Sequence, residues 1–177
     1  KENRLVKYVE KPANPPHDFA IPGLYFFNSG IFDCFKGEDA IQLSERGEYE
    51  ISSPYQWLID RGRKVDVLEY KGRWLDPGKF DGWIESNEYL LDNKLIPKME
   101  SKVDNTSKIK GRVSVGKNCV IVNSEIRGPV SIADDVTITD SYIGPFSSVG
   151  KSCVIQDARV ENCVLMESVS ITKVKTQ

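Results

Sequence analysis

Four short segments carry residue types that could do chemistry. Val9-Glu10-Lys11-Pro12 sets a carboxylate beside an ammonium at the end of a strand-like run, where open α/β sheets bind their ligands. Gly23-Leu24-Tyr25-Phe26 puts a glycine inside a second strand-like run, a mark of a bulge or of a close approach by backbone or ligand. Arg46-Gly47-Glu48-Tyr49-Glu50-Ile51 is a charged loop entering a helix, and Trp74-Leu75-Asp76-Pro77-Gly78 delivers a carboxylate at a turn behind aromatic residues. Each also has a plain structural reading. Glu10 and Lys11 can be a solvated pair, and Asp before Pro-Gly is what any turn prefers.

These segments need a scaffold, and residues 1–95 alternate strand and helix signals. Residues 5–9 read as a strand, closed by the breaker-rich Pro12-Ala13-Asn14-Pro15-Pro16. Residues 20–27 read as a second strand, and Ile31, Phe32 and Phe35 as a short helix stopped at Gly37. Ser53 is the expected N-cap of a further helix, with Pro54 in its first turn, Tyr55, Leu58 and Ile59 on its apolar face and Gly62 at its end. Residues 65–70 are again strand-like, and Phe80, Trp83, Ile84, Leu90 and Leu91 fit one face of a longer helix. Such alternation implies an α/β sheet, here small and partial. Residues 96–108 read as a polar linker.

From Ile109 the period changes. Aliphatic residues recur at Ile109, Val115 and Ile121, then Ile126, Ile132 and Ile138, then Ile143, Val149 and Ile155, and then Val160. The steps of six, six and five make a 17-residue unit. Other columns keep that register: Gly116 with Ala133 and Gly150, Ser124 with Ser141 and Ala158, Cys119 with Val136 and Cys153. Past Val160 the register loosens, and Leu165 or Met166 takes the next inward place. One inward aliphatic per hexad and three short strands per turn describe a triangular parallel β-solenoid, each coil ~4.8 Å beyond the last. Residues 109–177 give about four coils. Cys119 and Cys153, two coils apart, stand roughly 10 Å from each other, too far to bond.

Composition narrows the function classes. With 24 basic and 26 acidic residues the net charge is -2, which argues against a surface that coats nucleic acid. No run approaches the roughly 18 apolar residues that span a bilayer. Four cysteines without a CxxC pair are too sparse for a disulfide-stapled domain, so a reducing cytoplasm is the default location. The chain opens on Lys1 rather than methionine, so the expectation is a piece of a longer protein.

The repeat resembles the hexapeptide-repeat family, whose coils wind left-handed. Taken in order, the four chemical segments and the coils resemble the C-terminal portion of sugar-1-phosphate nucleotidylyltransferases, closest to the long glucose-1-phosphate thymidylyltransferases. The matching text is V-E-K-P at residues 9–12, Gly23-Leu24-Tyr25-Phe26-Phe27, Arg46-Gly47-Glu48-Tyr49-Glu50-Ile51, and the Trp74 to Gly78 turn. In the coils it is Ile126-Arg127-Gly128-Pro129-Val130 and Asp140-Ser141-Tyr142-Ile143-Gly144-Pro145-Phe146. The fold so implied is part of an α/β nucleotidyltransferase sheet (residues 1–95), a linker (96–108) and a left-handed parallel β-helix (109–177).

The resemblance also implies a reaction. A sugar 1-phosphate oxygen attacks the α-phosphorus of a nucleoside triphosphate, dTTP by the closest match, and pyrophosphate leaves. Lys11 then holds the sugar phosphate, Glu10 accepts hydrogen bonds from sugar hydroxyls, Gly23 and Tyr25 line the sugar pocket, and Glu48 contacts its sugar side. Asp76 supplies one of two aspartates for Mg²⁺, a hard ion that prefers carboxylate oxygens. A homo-oligomer is expected. Two departures stand out: Pro77 where the family usually has threonine, and Ser52-Ser53 where threonine-aspartate is common. The family's glycine-rich phosphate loop has no counterpart in these residues, so the 177-residue chain is expected to carry half a site and to be inactive alone. Two other readings compete. One is a hexapeptide acyltransferase, which would need a histidine base on the coils, whereas His17 lies outside them. The other is a module that serves only structure and oligomerisation.

Overall fold

The computed structural model describes residues 3–7, 14, 19, 21 and 23–174. The chain divides into two compact units, Lys1–Trp74 and Leu75–Gln177. The division falls ahead of the expected boundary at residue 95, because the second long helix belongs with the coils.

In the first unit, a 3-10 helix covers Ser29–Phe35, its N-terminus held by Asn28, whose Oδ1 accepts the Gly30 N–H at 3.0 Å. Helix α1 (Ser52–Asp60) starts earlier than its Ser53-Pro54 signal implied. Ile51 is already in the right-handed helical region, and no side chain caps this end. The Ser53 N–H is spent on Glu50 O at 3.0 Å, so the turn has closed before Ser53 could cap it. The other end follows the sequence. Gly62 takes a φ of +65°, its N–H donates to Ile59 O at 2.9 Å, and Arg63 N–H donates to Leu58 O at 2.9 Å. That pair of bonds is the left-handed closure that glycine makes cheaply.

The strand-like runs do not become ladder strands among the described residues. Their one pairing is an antiparallel bridge of Arg4 with Asp66, flanked by Leu5 N–H to Val65 O at 2.9 Å and Val67 N–H to Asn3 O at 2.8 Å. Propensity specifies a strand only where a neighbour completes its hydrogen bonds. The buried hydrophobic side chains here are few, Cys34 and Val65 among them, while Leu24, Phe26 and Leu68 are well exposed.

The second unit holds helix α2 (Phe80–Asn93) and a parallel-strand β-solenoid of about four turns, consistent with the left-handed β-helix expected. Its three faces are three parallel sheets. One runs β1 (Lys98–Met99), β3 (Val113–Val115), β6 (Val130–Ile132), β9 (Ser147–Val149) and β12 (Val164–Leu165). The second runs β2 (Lys108–Lys110), β5 (Glu125–Arg127), β8 (Tyr142–Ile143) and β11 (Arg159–Val160). The third runs β4 (Val120–Val122), β7 (Thr137–Thr139), β10 (Val154–Gln156) and β13 (Ser170–Thr172).

The pairing repeats the 17-residue unit, as in Ile109 with Ile126 with Ile143 and Ile121 with Ile138 with Ile155. The stacked aliphatics form the core, and Ile126, Ile138, Ile143 and Ile155 are fully buried. At both ends the step shortens to 16, Lys98 pairing with Ser114 and Ser148 with Val164. The loosened register after Val160 is therefore one lost residue. Leu165 packs against the core there, and Met166 points out with 59% of its surface exposed. The first coil begins inside residues 96–108: β1 pairs with β3, Val103 packs on the core, and Ser101 Oγ donates to Gly116 O while accepting the Cys119 N–H. All four cysteines are free.

All three corners of the triangle use left-handed residues, Gly111, Phe146 and Asn162 at one of them, and at the other two they form regular columns. Asn118, Asp135, Ser152 and Ser168 form one column with φ of +56° to +60°, and Asn123, Asp140, Asp157 and Lys173 form another with φ of +46° to +57°. Asn and Asp tolerate this region better than other side chains, and they also bond along the column. Asn123 Nδ2 donates to Asp140 Oδ1 at 2.6 Å, and Asn118 Nδ2 to Asp135 Oδ1 at 3.1 Å.

Candidate functional site

Asp76 sits in the second unit, in the turn leading to α2. Its Oδ1 accepts the Gly78 N–H at 3.1 Å, an Asx turn that fixes an exposed carboxylate. Its main-chain carbonyl lies directly over Gly82 in the first turn of α2, so close that any Cβ at residue 82 would strike it. The glycine is thus required by the approach of the Asp76 backbone. The helix itself buries Leu91 and leaves Phe80 and Leu90 exposed, so the expected apolar face is only partly the packed one. The polar Asn87 belongs to the packed face: Nδ2 donates to Phe146 O at 2.8 Å, and Oδ1 accepts the Ser148 hydroxyl at 2.5 Å. Sequence reasoning passed over Asn87. The available signal was its spacing of three from Ile84 and four from Leu91.

Gly23, Tyr25 and Glu48 lie in the first unit. Gly23 has a φ of +77° with open space around it, so its need for glycine comes from backbone conformation rather than from a close neighbour inside a strand. Tyr25 is half-buried, its ring 5.5 Å from that of Tyr55 on α1, and Phe27 packs on the same ring at 5.1 Å. Burial, and secondarily the Tyr25 phenol, push the Tyr55 hydroxyl up to about 12. Among the described residues, no hydrogen bond, ion pair or ring contact joins Gly23, Tyr25 and Glu48 to one another.

The charged loop is an internally paired turn. Ser44 N–H donates to Glu48 O at 2.8 Å, and Gly47 closes it with a φ of +76°. Arg46 places two donors on Glu50 Oε1, at 2.7 and 3.1 Å, and the Ser44 hydroxyl adds a third at 3.2 Å. Glu48 stays at the rim, 3.8 Å from Arg46 and 70% exposed. Its carboxylate therefore remains accessible, whereas that of Glu50 is the structural one. Glu10 and Lys11 lie outside the described residues. Among those described, no group of three or more His, Cys, Asp or Glu is gathered as a metal cage, so Asp76 could supply only part of a ligand set.

The nucleotidyl transferase family profile matches residues 1–93, just over half the chain and through to the end of α2. The chain belongs to the nucleotidyl transferase family. This nucleotidyl transferase chain is 38% identical over 98% of its length to a glucose-1-phosphate thymidylyltransferase of Streptomyces antibioticus, covering 48% of that protein. It is 37% identical to a glucose-1-phosphate thymidylyltransferase of Streptomyces griseus, over 94% of this chain and 46% of the other. A bifunctional sugar-1-phosphate nucleotidylyltransferase/acetyltransferase of Sulfurisphaera tokodaii is 35% identical over 96% of this chain and 42% of its own length. The chain spans about half the length of these relatives. No helix among the described residues is long and apolar enough to cross a membrane.

Proposed function

We propose that the whole protein transfers a nucleotidyl group from dTTP to a sugar 1-phosphate, releasing pyrophosphate and forming a nucleoside-diphosphate sugar. One observation carries this reading: the match to the Streptomyces antibioticus thymidylyltransferase runs through 98% of the chain, coils included. In the step, a sugar phosphate oxygen forms a bond to the α-phosphorus while the bond from that phosphorus to the bridging oxygen of pyrophosphate breaks. No proton need move to or from carbon, so the protein's work is positioning and charge neutralisation.

Lys11 holds the sugar phosphate as a point charge, and Glu10 accepts hydrogen bonds from sugar hydroxyls. Gly23 and Tyr25 line the sugar pocket, Gly23 through a backbone turn without a side chain and Tyr25 through a ring braced by Tyr55. Glu48, accessible beside Arg46, meets the sugar side. The exposed carboxylate of Asp76 has the hard oxygens suited to Mg²⁺ and would be one of its ligands. When bound, that ion would neutralise triphosphate charge. Its remaining ligands would come from groups not gathered around Asp76 among the described residues. The uncharged outer face of the third sheet, with Val120 and Val154 exposed, is where self-association belongs in this reading.

The test supplies the full-length protein with Mg²⁺, glucose 1-phosphate and each of dTTP, UTP, CTP, GTP and ATP, and follows pyrophosphate. Turnover with dTTP at least tenfold above the others is the expected result. Absence of turnover with every triphosphate would overturn the class, and preference for another base would overturn the thymidylyl assignment. The isolated 177-residue chain, run beside it, is expected to release none.

A further inference from the structure

The second unit contains an unbroken mechanical path from the solenoid to Asp76. It starts at the β9 edge of the solenoid, where Phe146 O and the Ser148 hydroxyl grip the two ends of one amide, Asn87. Both polar atoms of that side chain are committed, and its partners lie 59 and 61 residues away in sequence. A second tie holds the far end of the helix. Arg112, on an earlier coil, donates to Asp92 O at 2.7 Å and to Asp92 Oδ1 at 2.8 Å. The helix is therefore pinned at two points along its length. At its N-terminal end Gly82 seats the Asp76 carbonyl, and the Asx turn fixes the Asp76 carboxylate on that same turn.

We propose that Asn87 is a positioning residue for Asp76: through α2, its two hydrogen bonds to the solenoid hold the Asp76 turn in the place where its carboxylate acts. This rests on the reading of Asp76 as a metal ligand. It gives the coils a part in the chemistry of the first 93 residues. It also explains why a polar residue occupies the packed face of α2. An apolar residue there could fill the space but could not define the helix's rotation and height against a flat sheet. A bidentate amide fixes both, and a small turn of α2 at Asn87 displaces everything ahead of Gly82.

Three variants test this: Asn87→Ala, Ser148→Ala, which removes only the hydroxyl, and Ser148→Thr, which keeps it. The first readout is hydrogen exchange of the Gly78 and Trp83 amides, which donate to Asp76 Oδ1 and Lys79 O, in the 177-residue chain; it needs neither metal nor activity. Exchange at these amides is expected to speed up about threefold to tenfold in Asn87→Ala and Ser148→Ala, and to stay at the wild-type rate in Ser148→Thr. The second readout is the Mg²⁺ concentration for half-maximal turnover of the full-length protein. It should rise by a similar factor, with KM for glucose 1-phosphate unchanged. Wild-type exchange and wild-type Mg²⁺ dependence in a folded Ser148→Ala protein would overturn the inference, whether or not Asn87→Ala folds. Asp76→Asn is the separating control. Undiminished activity in Asp76→Asn would defeat the metal-ligand reading itself. Loss of activity there beside wild-type behaviour in the Asn87 and Ser148 variants would defeat only the positioning role.

Discussion

The hydroxyl oxygen of Ser124 accepts the backbone N–H of Ser141, one coil further along, at 3.1 Å. Ser141 repeats the arrangement, accepting the Ala158 N–H at 3.1 Å while donating to Thr139 O at 2.6 Å. Each hydroxyl thus bonds within its own coil and to the next, in a setting where Ser124 and Ser141 are only 5% and 6% exposed. The ladder ends at Ala158, whose side chain has no hydroxyl to continue it.

Removing one rung should therefore cost more than the bond itself. Ser141→Ala fits sterically, as Ala158 in the same column shows, but it leaves the Ala158 N–H without its acceptor, while the Thr139 carbonyl keeps only the Asp157 N–H. A buried unsatisfied group costs about 1–3 kcal/mol. The urea midpoint should fall accordingly with an unchanged slope, and a midpoint within error of wild type would show that the ladder is ornamental.

Ile132 points into the solenoid core at 2% exposure. Ile132→Asp would bury a carboxylate with no partner in a column of aliphatics, at a cost of several kcal/mol. The circular-dichroism melt should drop steeply or vanish. A melt like that of wild type would mean that the register has residue 132 facing outward after all.

The Tyr55 hydroxyl, held up to about 12 by burial and then by Tyr25, should ionise late. Its unfolded value is near 10, so the folded state keeps a proton that the unfolded state has lost. The stabilising contribution is intact below pH about 10 and is lost as pH rises toward 12. Absorbance at 295 nm should show a late tyrosinate step that disappears in Tyr55→Phe. A Tyr55→Phe titration identical in its late phase to wild type would assign that step elsewhere.

In the full-length protein, Asp76→Asn keeps the shape of the turn but removes the charge. Pyrophosphate release should fall about 10²-fold, the scale of losing one electrostatic stabiliser. Lys11→Ala should instead raise KM for the sugar phosphate more than it lowers kcat, because an ammonium that clamps the phosphate acts chiefly in binding. Steady-state kinetics of the two variants separates these roles, and near-normal rates for Asp76→Asn would leave Asp76 as a turn residue only.

The solenoid was readable because its core is a column of aliphatics with a fixed step, from Ile109 to Ile155, and backbone pairing follows from that step. Its first coil was hidden. Between residues 96 and 108 only β1 and Val103 carry the pattern, and Ser101 does by hydrogen bonding what other coils do with apolar side chains. On α2, apolar spacing showed which residues could be buried, but Phe80 stayed exposed while Asn87 was drawn in by partners about 60 residues away. In the first unit, Val65 and its neighbours carry strand propensity, but ladders depend on distant partners that propensity does not encode. The order of the site motifs was legible for a different reason, since each is a contiguous string. Their placement is tertiary and no contiguous string encodes it: Asp76 and Tyr25 lie in separate compact units, and Glu10 and Lys11 lie outside the described residues.

The shortened step at Val164 reveals a grammar for length changes along this chain. A single residue has dropped out between Val160 and Val164, and pairing resumes beyond it with Ile171 beside Ile155. The corner absorbed the loss because it lies between ladders, where no inward side chain has to keep its parity. The same deletion inside β6 or β7 would turn Ile132 or Ile138 outward and drag every later position with it. Descent by whole coils, with small losses confined to corners, is therefore the path open to this fold, and a lineage could lengthen the rod by roughly 4.8 Å at a time without disturbing the turns already wound.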